Sequence, residues 1–398
     1  MRIAVFIKST TFHKGFGGFE TQNQSLCEGL AKRGHEIIVF TPKKELESLG
    51  FAASEVRYVF IPCKFGSFRS LYSGNKNSWE NQAYQYFIRE HQDKHFDLVI
   101  GQSSWALPII KHKKELGIKV ISISHGTKMG EYQTELSSVG SLKDLLRCIA
   151  DIPHILRAFF QTQREFIHGS DHIVAVSNFV KKAVIDETYV WDQKITVINN
   201  GVDSSRISVS KKKEKDPLEK VGLVYVGRII RAKGLFKLIK ALESIKESNF
   251  LMSVVGEGQD KNDLEKYVNQ RDMGDRVNFL GLLKHEDVLE VLEKSDVFVL
   301  PTMRMEGFPM TIVEAMFEGL PIIASDIGGN SDAIENNETG FLVKAGDVTE
   351  LSDKIRLLIK DPQKRHLMGE NSRRKAQNEF TIDRMLDKYE SVFEDLLK

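Results

Sequence analysis

The sequence predicts an α/β chain folded as two doubly wound domains, each built on a parallel sheet. Three observations predict it. The chain has 398 residues, more than one core holds. Short apolar runs alternate with helical patterns from end to end. Near the middle, Lys211-Lys-Lys-Glu-Lys-Asp-Pro217 carries charge without apolar period and reads as an exposed join.

Lys plus Arg number 56 against 55 for Asp plus Glu, a net charge of +1. That balance gives no electrostatic case for nucleic acid as a partner. Cys27, Cys63 and Cys148 are scattered, with no C-x-x-C spacing. Reduced thiols in a cytosolic protein, with no metal site, are the expectation. Arg2-Ile-Ala-Val-Phe-Ile7 reads as a first strand rather than a signal peptide, because Lys8 ends the apolar run. No apolar run reaches the roughly eighteen residues of a membrane span.

In the first half, Ser9 to Gly18 is a polar loop ending in Gly17-Gly18. Phe19 to Arg33 then carries apolar residues at helical spacing until Gly34 stops it. Glu36–Thr41 is the next strand. Strand, glycine loop, helix and strand make a βαβ unit whose helix start suits an anion. A tight turn that needs glycine explains Gly17 and Gly18 equally well. The runs at 57–61, 97–100, 119–124, 172–176 and 194–198 extend the parallel sheet, whose ligands sit beyond the carboxyl ends of its strands. His125 lies at such an end, which favours a functional histidine over an incidental one. Residues 141–169 repeat Leu, Ile and Phe at helical spacing, broken at Pro153, with Lys143, Arg147, Arg157 and Arg164 interleaved. Two helices burying one face is the plainer reading, and peripheral contact with a membrane surface is the other.

In the second half, the strand Gly222–Val226 runs straight into Gly227-Arg228-Ile-Ile-Arg-Ala-Lys233-Gly234, and a helix opens at Leu235. Flanking glycines let backbone approach a ligand closely. Arg228 grips phosphate oxygens in pairs and Lys233 adds a point charge, so the loop reads as a diphosphate clamp rather than two solvated cations. Phe250–Val255 ends in Gly256-Glu-Gly258, but Lys261 stands where a dinucleotide fingerprint wants its third glycine. The buried run Asp296–Pro301 leads to Glu306-Gly307-Phe308-Pro309 and a helix containing Glu314. Pro309 suits the first helical turn. The free amides near Met310 and Thr311 then suit a phosphate, with Glu306 and Glu314 on either side of it. Either acid alone is read as a dipole partner or a solvated glutamate; the whole string is harder to dismiss. Pro321–Ala324 and Gly340–Val343 complete the sheet, and a last helix begins near Thr381.

With these motifs in place, the chain resembles retaining glycosyltransferases of the two-Rossmann-domain (GT-B) type, similar to family 4, essentially end to end. The E-x-seven-E string Glu306 to Glu314, with Gly-Leu-Pro-Ile-Ile-Ala-Ser behind it, is the most specific element. Gly227-Arg-x-x-x-x-Lys233-Gly comes second. Gly17-Gly18-Phe-Glu20, Ala175-Val-Ser177 and Asn200-Gly-Val-Asp203 agree more weakly. The resemblance implies two Rossmann-like domains facing across a cleft, 1–203 and 204–380, with residues 381–398 crossing back to the first. It implies that Arg228 and Lys233, beside Gly227 and Gly256, hold the donor's diphosphate. Glu314 would bind the nucleotide ribose. Glu306, with the backbone of Gly307 and Phe308, would hold the sugar hydroxyls, and Met310 and Thr311 would meet a phosphate. Gly17 and Gly18 would make room for phosphate and acceptor, and His125 would lie beside the sugar.

The activity so implied is transfer of a hexose-type sugar, with retention, from a UDP or GDP sugar to a hydroxyl of a glycan or lipid-linked acceptor. No cofactor and no metal are expected, the cations standing where a divalent ion stands in other transferases. The expected place is the cytoplasm, with peripheral attachment to the inner membrane face through 141–169. A sugar-nucleotide epimerase of the same plan, a dinucleotide-dependent oxidoreductase and a non-catalytic nucleotide-sugar-binding protein are the rival readings. The missing third glycine and the E-x-seven-E string weigh against the oxidoreductase.

Overall fold

The structure is a computed structural model that describes residues 1–13, 17–44, 55–63, 78–137, 142–207 and 219–398. The expected join at 211–217 lies outside the described residues. By its contacts the chain divides into two units. The first comprises Met1–Lys128, Pro153–Gly201 and Ile382–Lys398; the second comprises Met129–Ile152 and Val202–Thr381. Residues 129–152 fall inside the domain 1–203 that the sequence suggested, yet group with the second unit. One bond that ties them there runs from the Met305 amide to the Thr134 hydroxyl, 3.2 Å, from a neighbouring loop to the helix Lys128–Ser137.

Among the described residues the first unit carries seven strands: β1 (Arg2–Phe6), β2 (Glu36–Pro42), β3 (Arg57–Ile61), β4 (Leu98–Gln102), β5 (Lys119–Ser124), β6 (His172–Ala175) and β7 (Ile195–Val197). Their order is β3-β2-β1-β4-β5-β6-β7, every pair parallel. The central strands β1 and β4 are buried along their whole length, as strands covered on both faces must be. The order reverses between β1 and β4, and chain leaving the two strands there turns to opposite faces of the sheet. From β1 the chain enters helix α1 (Gly18–Lys32).

The second unit repeats the plan with β8 (Val221–Val226), β9 (Phe250–Val255), β10 (Val277–Gly281), β11 (Val297–Leu300), β12 (Ile322–Ser325) and β13 (Gly340–Val343). Their order is β10-β9-β8-β11-β12-β13, again all parallel, with the reversal between β8 and β11. The strands leading to both expected glutamate and cation motifs therefore lie side by side.

The helix Ile382–Leu397 belongs to the first unit and packs on α1. Tyr389 and Phe393 are wholly buried, and a Cβ at Gly29 would stand 2.6 Å from Leu386 Cδ1. Arg33 pairs with Asp383, Asp387 and Glu390 at the rim. Exposed pairs contribute up to about 1 kcal/mol each, while burying one aromatic contributes about 2–3, so the apolar seam decides the docking.

Pro153 does not break its helix as its type suggests. The helix Leu142–Arg157 runs through it and continues as a π-helical stretch, Ala158–Gln163, before Arg164–Gly169. Among the described side chains of this segment, Cys148, Ala158, Phe166 and Ile167 are buried, while Leu146, Ile149, Ile152, Leu156 and Phe160 are exposed, so only part of the apolar pattern serves a core. Among the described residues no helix is long and apolar enough to cross a membrane.

Phe393→Ala should lower the stability of the first unit by about 3–5 kcal/mol, read from the urea midpoint. A change below 1 kcal/mol would show that the terminal helix is not part of that unit's core.

Candidate active site

The second unit builds its site where β8 and β11 end side by side. Gly227 leaves β8 with φ +155, and the loop beyond it is laced to its neighbours through backbone. The Gly227 amide donates to Val255 O at 3.0 Å and the Ile229 amide to Glu257 O at 2.9 Å. A Cβ at Gly256 would stand 2.0 Å from Gly227 O, so only glycine lets the tips of β8 and β9 close up. The wholly buried Tyr225 donates its hydroxyl to Arg228 O at 2.8 Å. Arg228 itself is exposed, with no ion pair to its guanidinium among the described residues.

At the other end of this loop, Gly234 has φ +74 and its absent Cβ would meet Pro301 O at 1.8 Å. The Met303 amide donates to Ala232 O at 2.8 Å. These contacts carry Lys233 to the chain leaving β11, where its Nζ donates to Glu306 Oε1 at 2.7 Å. The Thr302 hydroxyl donates to the same oxygen at 3.0 Å. Both ends of the ion pair are largely buried. Burial pushes the Glu306 carboxyl up, but Lys233, Arg304 and the Thr302 hydroxyl outweigh it and hold the acid below its ordinary range. The backbone at Glu306 is fixed from β12, whose following loop donates the Gly329 amide to Glu306 O at 2.8 Å.

The helix Met310–Phe317 follows, with Pro309 as its extended N-cap rather than within the first turn. Among the described residues no acceptor is found for the Met310 and Thr311 amides, which leaves the positive end of the helix open. Gly307 is half-buried, and the Phe308 ring is buried against Phe380 with centroids 5.3 Å apart. At the far end Arg373 donates to Phe317 O and Glu318 O, both at 3.0 Å, covering the carbonyls of the last turn. Glu314 is buried, not solvated, and accepts from or shares a proton with His285 Nε2 at 3.0 Å.

In the first unit, Gly17 and Gly18 are exposed at the start of α1, and open space surrounds the position of a Gly18 Cβ. The Gly17 amide is taken by Glu20 Oε2 at 2.9 Å, and Ser9 donates to the other Glu20 oxygen. His125 follows β5 and lies 2.7 Å from Gln102 Oε1, with the Phe19 ring edge-on at 4.7 Å. Burial pulls the imidazole down to about pKa 4, so it is neutral near pH 7.

Thus Lys233 meets Glu306, while the ten expected residues of the second unit share the ends of three neighbouring strands and one helix start. Gly17, Gly18 and His125 are in the other unit. Sequence reasoning did not find Tyr225, His285, Thr302 or Gln102. Thr302 and Gln102 sit at strand ends and were open to the same rule that found His125. His285 reaches Glu314 across 29 residues, and no local pattern announces that.

Comparison with known proteins agrees with this architecture. A family model described as Glycosyl transferases group 1 matches residues 207–375, and one described as Glycosyltransferase Family 4 matches residues 16–206. The chain is 30% identical over 319 residues to the Escherichia coli UDP-Gal:alpha-D-GlcNAc-diphosphoundecaprenol alpha-1,3-galactosyltransferase, covering 73% of this chain and 81% of that one. It is 27% identical to the Bacillus anthracis N-acetyl-alpha-D-glucosaminyl L-malate synthase, covering 71% and 69%. Among solved structures, a sucrose-phosphate synthase from Thermosynechococcus elongatus superposes with a TM-score of 0.81 at 20% identity, over 99% of this chain and 98% of that one. Anabaena HepE in complex with UDP and glucose superposes at 0.75 and 19% identity, over 99% and 100%.

Lys233→Met leaves a buried carboxylate without its partner and should destabilise the second unit by about 3–5 kcal/mol, most of it recovered in Lys233→Met with Glu306→Gln. Glu306 has a folded pKa below its unfolded value of roughly 4.3, so the unfolded chain binds more protons in acid. The stabilisation is therefore complete above that unfolded value and disappears as pH falls through the lower folded one. Urea melts of wild type and the double variant from pH 7 to pH 3 should converge at the acid end; parallel curves would refute the pair's role.

Proposed function

The chain belongs to the glycosyl transferases of group 1 and family 4, and from that membership we propose a retaining transfer of a hexose-type sugar from a UDP or GDP sugar to a hydroxyl. That it is a glycosyltransferase with two Rossmann-like domains is the shared ground; donor, stereochemistry and acceptor are the proposal. One observation carries it: the β8 loop bearing Arg228 and Lys233 is laced onto the chain that holds Glu306, beside an open helix start. Relatives and neighbours named for UDP-Gal or solved with UDP support a nucleoside diphosphate donor.

In this reading Arg228 grips the diphosphate, and the Met310 and Thr311 amides add the helix dipole. Gly227 and Gly256 let backbone come close. As the bond to the anomeric carbon stretches, negative charge grows on the leaving diphosphate and positive charge on the sugar. Fixed cations and dipoles stabilise that charge without reorganising, which water cannot do. Lys233 serves two anions, the diphosphate and Glu306, so Glu306 remains ionised and accepts hydrogen bonds from sugar hydroxyls with the Gly307 and Phe308 amides. Glu314, oriented by His285, accepts from the ribose. The acceptor hydroxyl attacks on the face the diphosphate leaves, and a departing phosphate oxygen takes its proton. No metal takes part. Gly17, Gly18 and His125 belong to acceptor and sugar recognition. A lipid-linked or glycan acceptor is supported by the undecaprenol-linked substrate in the E. coli relative's name and by the exposed apolar residues between Leu146 and Phe160, which suit peripheral contact with a membrane.

The test begins with a panel of UDP and GDP sugars, assayed for binding and for transfer to soluble glycans and lipid-linked acceptors. Arg228→Ala and Lys233→Ala should each reduce transfer about a hundredfold and weaken nucleoside diphosphate binding. Added chelator should leave turnover unchanged. Unaltered activity in both variants, or interconversion of donor sugars without acceptor, would overturn the proposal in favour of another use of the fold.

A further inference from the structure

His125 ends a file of buried amides. Gln102, wholly buried, donates its Nε2 to Asn23 Oδ1 at 2.8 Å, and Gln102 Oε1 lies 2.7 Å from His125 Nε2. Asn23, on α1, is 1% exposed. All three residues lie in the first unit. An amide has one donor end and one acceptor end, so the direction of one member dictates the next. With Gln102 Nε2 donating to Asn23 Oδ1, the Gln102 oxygen faces the imidazole, and the proton must sit on Nε2.

The reverse direction would turn the Gln102 amide donor toward the imidazole and would place a proton on Nδ1. Among the described residues no partner is found for Nδ1. His125 is half-buried, and in such a place an N–H left without an acceptor is rarer and costlier than an unfilled lone pair. The edge-on Phe19 ring restricts the imidazole further.

We infer that the Asn23–Gln102 pair locks His125 as the Nε2–H tautomer, so that Nδ1 accepts a hydrogen bond from a substrate hydroxyl beyond the end of β5, with Gln102 and Asn23 as positioning residues. This rests on the transferase reading for the identity of the hydroxyl and deepens it. It also divides labour. The ring is neutral at working pH and bears no proton on its open nitrogen, so it neither supplies charge to the leaving group nor protonates it. It orients a hydroxyl and nothing more. Gln102 has no charge of its own, which keeps the ring from being drawn to imidazolium as a carboxylate in that position would draw it.

The decisive measurement is the long-range 1H–15N spectrum of 15N-histidine-labelled full chain, with His125→Asn to assign the ring. Nε2 should be protonated and Nδ1 bare, with no imidazolium between about pH 6 and 8. Gln102→Glu should bring imidazolium into that range and add an ionisation to the pH–rate profile, which a purely structural role would not do. Gln102→Leu should mix the tautomers and reduce turnover about tenfold with UDP or GDP binding unchanged. A proton on Nδ1 in wild type, or a tautomer indifferent to Gln102→Leu, overturns the lock. If the lock holds, the Nδ1 signal should move with the sugar nucleotide that the panel identifies and not with the free nucleoside diphosphate; a signal that does not move overturns the hydroxyl assignment. If no member of the panel is turned over, the hydroxyl assignment falls with the transferase reading, while the spectra still decide the lock.

Discussion

The buried ion pair between Lys233 and Glu306 is the constraint around which the second unit is arranged. Two charges removed from water are tolerable only if each has its partner and the remaining lone pairs are filled. Thr302 fills one of them, and backbone contacts from β8, β11 and β12 hold both side chains in place. Gly234 and Gly256 matter for the same reason, since a single Cβ at either would push apart the strand ends that make the pair possible. An anion arriving at this site meets a lysine already held, so little side-chain entropy remains to be lost on binding.

The first unit uses the opposite electrostatics. Its strand-end histidine is kept neutral by burial, and its neighbours are amides and a phenyl ring. The glycine-led start of α1 is already complemented by Glu20, so the unit carries less net positive character at that end than the glycines alone suggest. Charge stabilisation is thereby concentrated in the second unit, and neutral hydrogen bonding in the first. That division suits a reaction in which a charged group leaves and a neutral hydroxyl arrives.

The helical segment 142–169 shows how a local rule can mislead. A proline inside an apolar period signals a break, yet the helix runs on and a π-helical stretch follows it. The apolar residues exposed along it do not serve a core, which is why composition and period, the same for a buried and an unburied face, could not separate the two readings.

The described strands and the existence of the helix that holds Glu314 could be read from short apolar runs and their flanking residues, because those signals act over a few residues. The family was legible for the same reason: Arg228, Lys233, Glu306 and Glu314 stand in two short strings, each at a strand end. What the strings could not contain was partnership. That Lys233 is matched to Glu306, that His285 sits on Glu314, that Gln102 and Asn23 govern the proton on His125, and that residues 129–152 leave the first domain for the second, all depend on strand order. Hydrophobic period determines that a strand exists and which residues end it; only the pairing of β1 with β4 and of β8 with β11 decides which ends meet, because parallel neighbours are chosen by sheet packing among segments tens of residues apart.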